Sequence, residues 1–176
     1  VGGAVSRAAA RAGATVVITG KRKRQLEQLY DAMMSEGLPE PVIHPLDMEA
    51  ATPTDYAALA EGLERDFGRL DGIVHAAANF AGLTPIVMHK PDAWLRTMHV
   101  NVSAPFALTQ ACMPLLLGAP DSAVVFVLDN PDLLQRAHWG AYGASKAALE
   151  RLVAILHQET DDGAMRTHAL LPTPMR

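Results

Sequence analysis

The sequence predicts an α/β fold, a doubly wound parallel sheet with helices on both faces, and two observations carry that prediction. Helix-like and strand-like stretches alternate along the whole chain, the order that builds parallel βαβ units. The strand-like stretches, such as "VVIT" and "AVVFVL", are apolar without interruption rather than at every second residue, as strands are when both faces are covered. No repeat, low-complexity tract or linker breaks the order, so residues 1–176 are expected to form one domain.

The elements follow in sequence. "GGAVSRAAARAG" is an alanine-rich helix stopped by Gly13, and "ATVVITG" is a β-branched strand closed by Gly20. "KRQLEQLYDAMMSEG" is an amphipathic helix with Leu26, Leu29 and Met33 on one face, ended by Gly37; "PVIHPLD" is a short strand. "TPTDYAALAEGLERDFGRL" opens with Thr and Pro in the order of a helix start. "DGIVHAAA" is a buried strand, and residues 91–117 form one long helix with Leu95, Met98, Val102 and Phe106 three and four apart. "SAVVFVLD" is a further strand, 139–160 a second long helix, and "RTHALLP" the last strand. The chain opens on a glycine turn with no strand before it and stops soon after a strand, so the first strand and the C-terminal elements of such a fold are expected to lie outside it.

Composition narrows the function. The 176 residues are 49% apolar, enough for a substantial core, and the net charge of −4 is spread along the chain. Nucleic-acid and membrane surfaces need clustered cations, and the single basic run is "KRKR" at 21–24. The lone Cys112 excludes an intrachain disulfide and a cysteine-rich zinc site. No uninterrupted apolar run approaches the ~18 residues of a membrane span, and a cytoplasmic location is the default expectation.

In a doubly wound sheet, ligands sit beyond the carboxyl ends of the strands, which is where Gly20, Asp47, His75 and Asp129 fall. Just after Asp129 come Tyr142 and Lys146 in "YGASKAAL". Four residues apart on a helix, they project side by side. An ammonium near a phenol favours phenolate and lowers the tyrosine pKa from about 10, making it a usable acid or base. Alone, Tyr-x-x-x-Lys is a common helical pair with no functional meaning.

Here it has company. "YGASK", Asn101 in "VNVSAPF", "DGIVHAAA" and the opening "GGAVSRAAARAGATVVITG" together resemble the short-chain dehydrogenase/reductase family, Rossmann-type oxidoreductases that bind NAD or NADP. The resemblance spans essentially the whole chain. It implies that Tyr142 exchanges a proton with a substrate carbonyl or alcohol, that Lys146 lowers its pKa and binds the nicotinamide ribose, and that Asn101 holds a water for proton relay. It implies that Gly2 is the last glycine of the pyrophosphate turn and that Asp47, beside Met48, meets the adenine. NAD-preferring members carry an acid after the second strand. This chain has Lys21 and Arg22, which suit a 2′-phosphate and favour NADP over NAD. Family members commonly pair through the helices corresponding to 91–117 and 139–160, so a homo-oligomer is expected, with Ala144, Ala147 and Ala148 on the partner side. No nucleic acid, membrane or metal is implied, only a small-molecule substrate.

Three departures stand out. The family's Asn-Asn-Ala-Gly turn, a cofactor-facing segment, reads His75-Ala76-Ala77-Ala78 here, and its later Pro-Gly reads Pro172-Thr173. Asp129 stands where the family has the serine that bonds the reacting oxygen. A carboxylate about 4 Å from a developing alkoxide costs on the order of 4 kcal/mol at an effective dielectric near 20, about three decades in rate. Three arrangements would relieve this. Asp129 is protonated, Asn130 replaces it as donor, or the substrate is a cationic amine or imine. Otherwise catalysis is weak or lost and the chain is a nucleotide-binding or interaction protein.

Overall fold

The structure is a computed structural model that describes residues 1–172. It resolves into two compact units, Val1–Ala51 and Thr52–Arg176. Thr173 of the Pro172-Thr173 pair lies outside the described residues.

In the first unit, α1 (Gly2–Arg11) leads to β1 (Val17–Gly20), and α2 (Lys23–Ser35) leads to β2 (Val42–Pro45). The two strands pair in parallel, from Val17 opposite Val42 to Gly20 opposite Pro45. The alternation that predicted a helical crossover therefore produces one. Ala10, Ile18, Leu26, Met33 and Leu46 supply its buried apolar side chains. Met33 is fully buried, as the spacing from Leu26 required.

The second unit opens with α3 (Pro53–Phe67), where the backbone N–H and hydroxyl of Thr52 both donate to Asp55 Oδ2 at 2.7 Å. After β3 (Gly72–His75) a single 3₁₀ turn, Ile86–Met88, leads to α4 (Pro91–Met98) and α5 (Ala104–Gly118). Then come β4 (Ser122–Val127), a short α6 (Pro131–Leu134), α7 (Gly140–Thr160) and β5 (Met165–Leu170). The three strands form a parallel ladder in the order β3-β4-β5. Val124 and Phe126 on the central strand are fully buried, which explains why "AVVFVL" carries no polar alternation.

The long helix expected over 91–117 is interrupted. Residues His99–Ser103 form a π turn between α4 and α5. One wide turn rotates everything after it relative to what came before, so the expected apolar stripe does not mark the core. Leu95 and Phe106 are 65% and 48% exposed, while Thr97 and Asn101 are buried. The helical run Pro91–Gly118 is 28 residues and apolar enough to cross a membrane. It packs as a core element of its unit through Val100, Ala104, Leu108, Cys112 and Leu116. α6 lies between β4 and α7, in a segment for which the sequence predicts no element.

Candidate active site

The segment leaving β4 is set by its own polar side chains. Asn130 Oδ1 accepts from the N–H of Asp132 at 2.9 Å and caps α6. Asn130 is thus committed to its own helix and is not the donor that would stand in for a serine. At the other end of α6, a Cβ on Gly143 would fall 2.5 Å from the carbonyl oxygen of Leu134. Glycine here lets α6 press against the first turn of α7. The entry to α7 is bent: His138 has φ +75° and Gly140 φ +40°, and the His138 carbonyl accepts from Thr84 N–H at 2.8 Å.

This geometry brings Tyr142 to Asp129. The phenol donates to Asp129 Oδ2 at 3.1 Å, and Asp129 Oδ1 accepts from Asn130 N–H at 2.8 Å. Both oxygens serve as acceptors, the role of a carboxylate. Burial, followed by the charge of Asp129 and the hydrogen bond to it, pushes the Tyr142 pKa up to about 12. The expectation that Lys146 would lower it is therefore corrected. Lys146 is 5% exposed and donates from Nζ to the Val127 carbonyl at 2.7 Å, with its nitrogen 5.7 Å from the Tyr142 ring centre. Burial also lowers its own pKa, which Asp129 opposes. An ammonium held at that distance loses to a carboxylate in direct contact.

Asn101 sits on the π turn and is almost fully buried. Its Oδ1 accepts from Asn79 N–H at 2.7 Å, and its Nδ2 donates to the Asn79 carbonyl at 3.0 Å and to Ser145 Oγ at 2.8 Å. Ser145 in turn donates to the Tyr142 carbonyl at 2.8 Å, and Thr97 donates to Asn79 Oδ1 at 3.0 Å. Asn101 thus braces the turn of α7 that carries Tyr142, with Lys146 outside this set of bonds. Asn79 and Ser145 were not singled out by sequence reasoning. Their signal was present: Asn79 is the one amide after the alanine run, and Ser145 lies between Tyr142 and Lys146.

His75 ends β3 as expected, but its ring is a core group. It is 5% exposed, its Nε2 lies 2.8 Å from Thr109 Oγ1, and it stacks on Phe126 at 4.7 Å. Burial lowers its pKa to about 4. The side chain is not offered to a cofactor; Ala76, half-buried, follows it just past the strand. Three aromatic rings meet at the Tyr142 end: Phe80 stacks on Trp139 at 5.7 Å and meets Tyr142 edge-on at 5.1 Å, with Trp139 to Tyr142 at 6.0 Å. A cleft of about 380 Å³ opens beside Asp129 and Lys146, walled by Pro131, Gln135, Ala147 and Leu171 among others. Ala144 and Ala147 line this cleft, so their small size opens space near the site.

In the first unit, Gly2 is the first residue of α1, and its preceding residue Val1 offers no side-chain cap. The open N–H groups of such a helix start suit a phosphate. Lys21 and Arg22 follow the end of β1; Lys21 pairs with Glu49 at 3.0 Å, while Arg22 is exposed and enters no ion pair among the described residues. Asp47 Oδ1 accepts from Glu49 N–H at 3.0 Å, with Met48 half-buried between them. Lys21 and Arg22 lie between β1 and α2, where Arg22 is the N-cap residue of α2. Among the described residues no group of His, Cys, Asp and Glu is placed to hold a metal.

The family model for short chain dehydrogenase matches residues 1–176. The uncharacterized oxidoreductase YciK of Escherichia coli K12 is 36% identical over 150 residues, covering 85% of this chain and 60% of its own length. The chain thus spans less than two thirds of the length of that curated relative. A short chain dehydrogenase from Pseudomonas syringae superposes with a TM-score of 0.93 at 38% identity, over 97% of this chain and 71% of that one. Another, from Escherichia coli CFT073 and complexed with NADPH, gives 0.90 at 34% identity, over 96% and 70%. Sequence motifs, fold and relatives agree, and the chain belongs to the short chain dehydrogenase family.

Proposed function

We propose that the protein is an NADP-preferring oxidoreductase, transferring hydride between nicotinamide and a small carbonyl or alcohol, with Tyr142 as the proton-exchanging group. The observation that carries this reading is the constellation of half-buried Tyr142, buried Asn101 joined to its turn through Ser145, and buried Lys146 on the Val127 carbonyl. The dinucleotide supplies hydride when bound. Gly2 at the start of α1, Lys21, Arg22, Asp47 and Met48 would hold its adenosine and phosphate groups, and Lys146 and Ala76 would meet its nicotinamide half. The NADPH complex of the E. coli CFT073 relative supports the choice of cofactor, as does Arg22, which is free to meet a 2′-phosphate.

Tyr142 would supply a proton to the developing alkoxide and Lys146 would stabilise what remains. Asp129 opposes this, because it accepts a hydrogen bond from the phenol hydroxyl and favours the neutral phenol. That same contact supports a second reading, a nucleotide-binding protein with little or no turnover. A homo-oligomer through α4, α5 and α7 is also proposed. It is supported by the outward Leu95, Phe106, Leu117 and Ile155 and by a groove of about 150 Å³ between α5 and α7. The test is to titrate NADPH and NADH into the full-length protein, then follow cofactor oxidation on a panel of small carbonyls. Tighter NADPH binding with turnover is expected. Binding without turnover on any member selects the second reading, and no binding of either nucleotide overturns both.

A further inference from the structure

We propose that Asp129, with the Phe80 and Trp139 rings grouped at Tyr142, makes the Tyr142 end of this site a receptor for a cationic nitrogen, so that an amine and iminium couple is preferred there over alcohol and neutral carbonyl. The proposal rests on the oxidoreductase reading above and assigns its substrate class.

Four observations meet here. Asp129 enters no ion pair among the described residues; its two contacts are neutral donors, the Tyr142 hydroxyl and the Asn130 N–H. Each carboxylate oxygen keeps a lone pair for a further donor. Lys146, the one basic residue among the described residues lining the cleft, is turned to the Val127 carbonyl and buried, whereas Asp129 is only half-buried and lines the open cleft. The outward side of the site therefore presents negative charge. Tyr142, which touches Asp129, meets Phe80 edge-on at 5.1 Å and lies 6.0 Å from Trp139, with Phe80 half exposed. Aromatic faces beside a carboxylate attract an organic cation by charge and by the ring quadrupole, and neither gives a neutral carbonyl a donor.

The chemistry is consistent with a phenol that gives up its proton reluctantly. Reduction of an iminium takes one hydride, from a reduced nicotinamide dinucleotide, at carbon. The C=N π pair becomes the nitrogen lone pair, the nicotinamide is oxidised by two electrons, and no proton is required from Tyr142. A neutral carbonyl needs that proton, and its developing oxyanion would lie against Asp129.

Binding, not turnover, tests this. Calorimetric titration of the full-length protein with benzylammonium and with benzyl alcohol, each with and without NADPH, compares a cation with a neutral analogue of the same ring. The ammonium is expected to bind about tenfold tighter or more, and Asp129→Asn is expected to bring the two within about twofold. Asp129→Ser serves the same comparison if the first variant does not fold. Equal or weaker binding of the ammonium, no ammonium binding at millimolar concentration, or a preference that survives loss of the carboxylate overturns the proposal. NADPH affinity in the same protein separates the two claims. Retained NADPH binding without ammonium preference sinks the cation site alone, and lost NADPH binding with the preference intact sinks the cofactor reading alone.

Discussion

A phenol and a carboxyl group 3.1 Å apart share one hydrogen bond, and burial beside Asp129 favours the neutral phenol. Desolvation penalises the phenolate first and Asp129 penalises it further, so the side chain stays neutral to about pH 12. Asp129 in place of serine was plain in the sequence, but which way it pointed was not. Orientation depends on the Asn130 cap and on the bent entry at His138 and Gly140, and local turn chemistry of this kind leaves only a weak trace in residue type. His75 shows the opposite case, since its position at a strand end was legible and its partner was not. Its ring is buried against Phe126 and Thr109 with a pKa of about 4, below its ordinary 6.5. The folded state thus disfavours protonation, and the unfolded state takes up the proton first. Stability from this group is complete above about pH 6.5 and is lost as pH falls toward about 4, by about 3 kcal/mol. Urea midpoints measured across that window should fall more steeply in the parent than in His75→Asn. Parallel slopes would show that the ring is not buried neutral.

At the scale of elements, β1 and β4 followed directly from apolar runs bounded by turn residues, whereas the short α6 did not. The π turn at His99–Ser103 did not follow, since nothing in "HVNVS" distinguishes a wide turn from an ordinary one. What holds Asn101 in its inward place is a set of partners 22 and 44 residues away, Asn79 and Ser145, which no local pattern encodes. The α6–α7 contact is likewise tertiary. Gly143 fits because the Leu134 carbonyl lies where its Cβ would be, at 2.5 Å, with Trp139 Cβ at 3.3 Å. Gly143→Ala must move α6 off α7, at a cost of about 1–3 kcal/mol. Because Asn130 caps that helix, the shift should reach the Asp129 turn as well. A lower urea midpoint together with changed absorbance of the Tyr142 phenol is the expected result. An unchanged midpoint would mean that the two helices are not in contact.

Across the whole molecule, the family and the cofactor-binding architecture were legible because they rest on motifs, "YGASK" and the glycine-led first helix, whose spacing survives divergence. Substrate class rests instead on a single replaced residue and on rings contributed by Phe80 and Trp139, 59 residues apart in sequence. On the proposed function, the Asp129 carboxyl group against Tyr142 holds this short chain dehydrogenase scaffold back from reducing neutral carbonyls. The direct measurement is steady-state NADPH oxidation at neutral pH by the full-length protein and its Asp129→Ser variant, using neutral carbonyls that the parent is shown to bind. Removing the charge should raise turnover by about one to three decades, or about 1.4–4 kcal/mol of transition-state stabilisation. Equal or lower turnover by a folded, NADPH-binding Asp129→Ser variant would contradict the account.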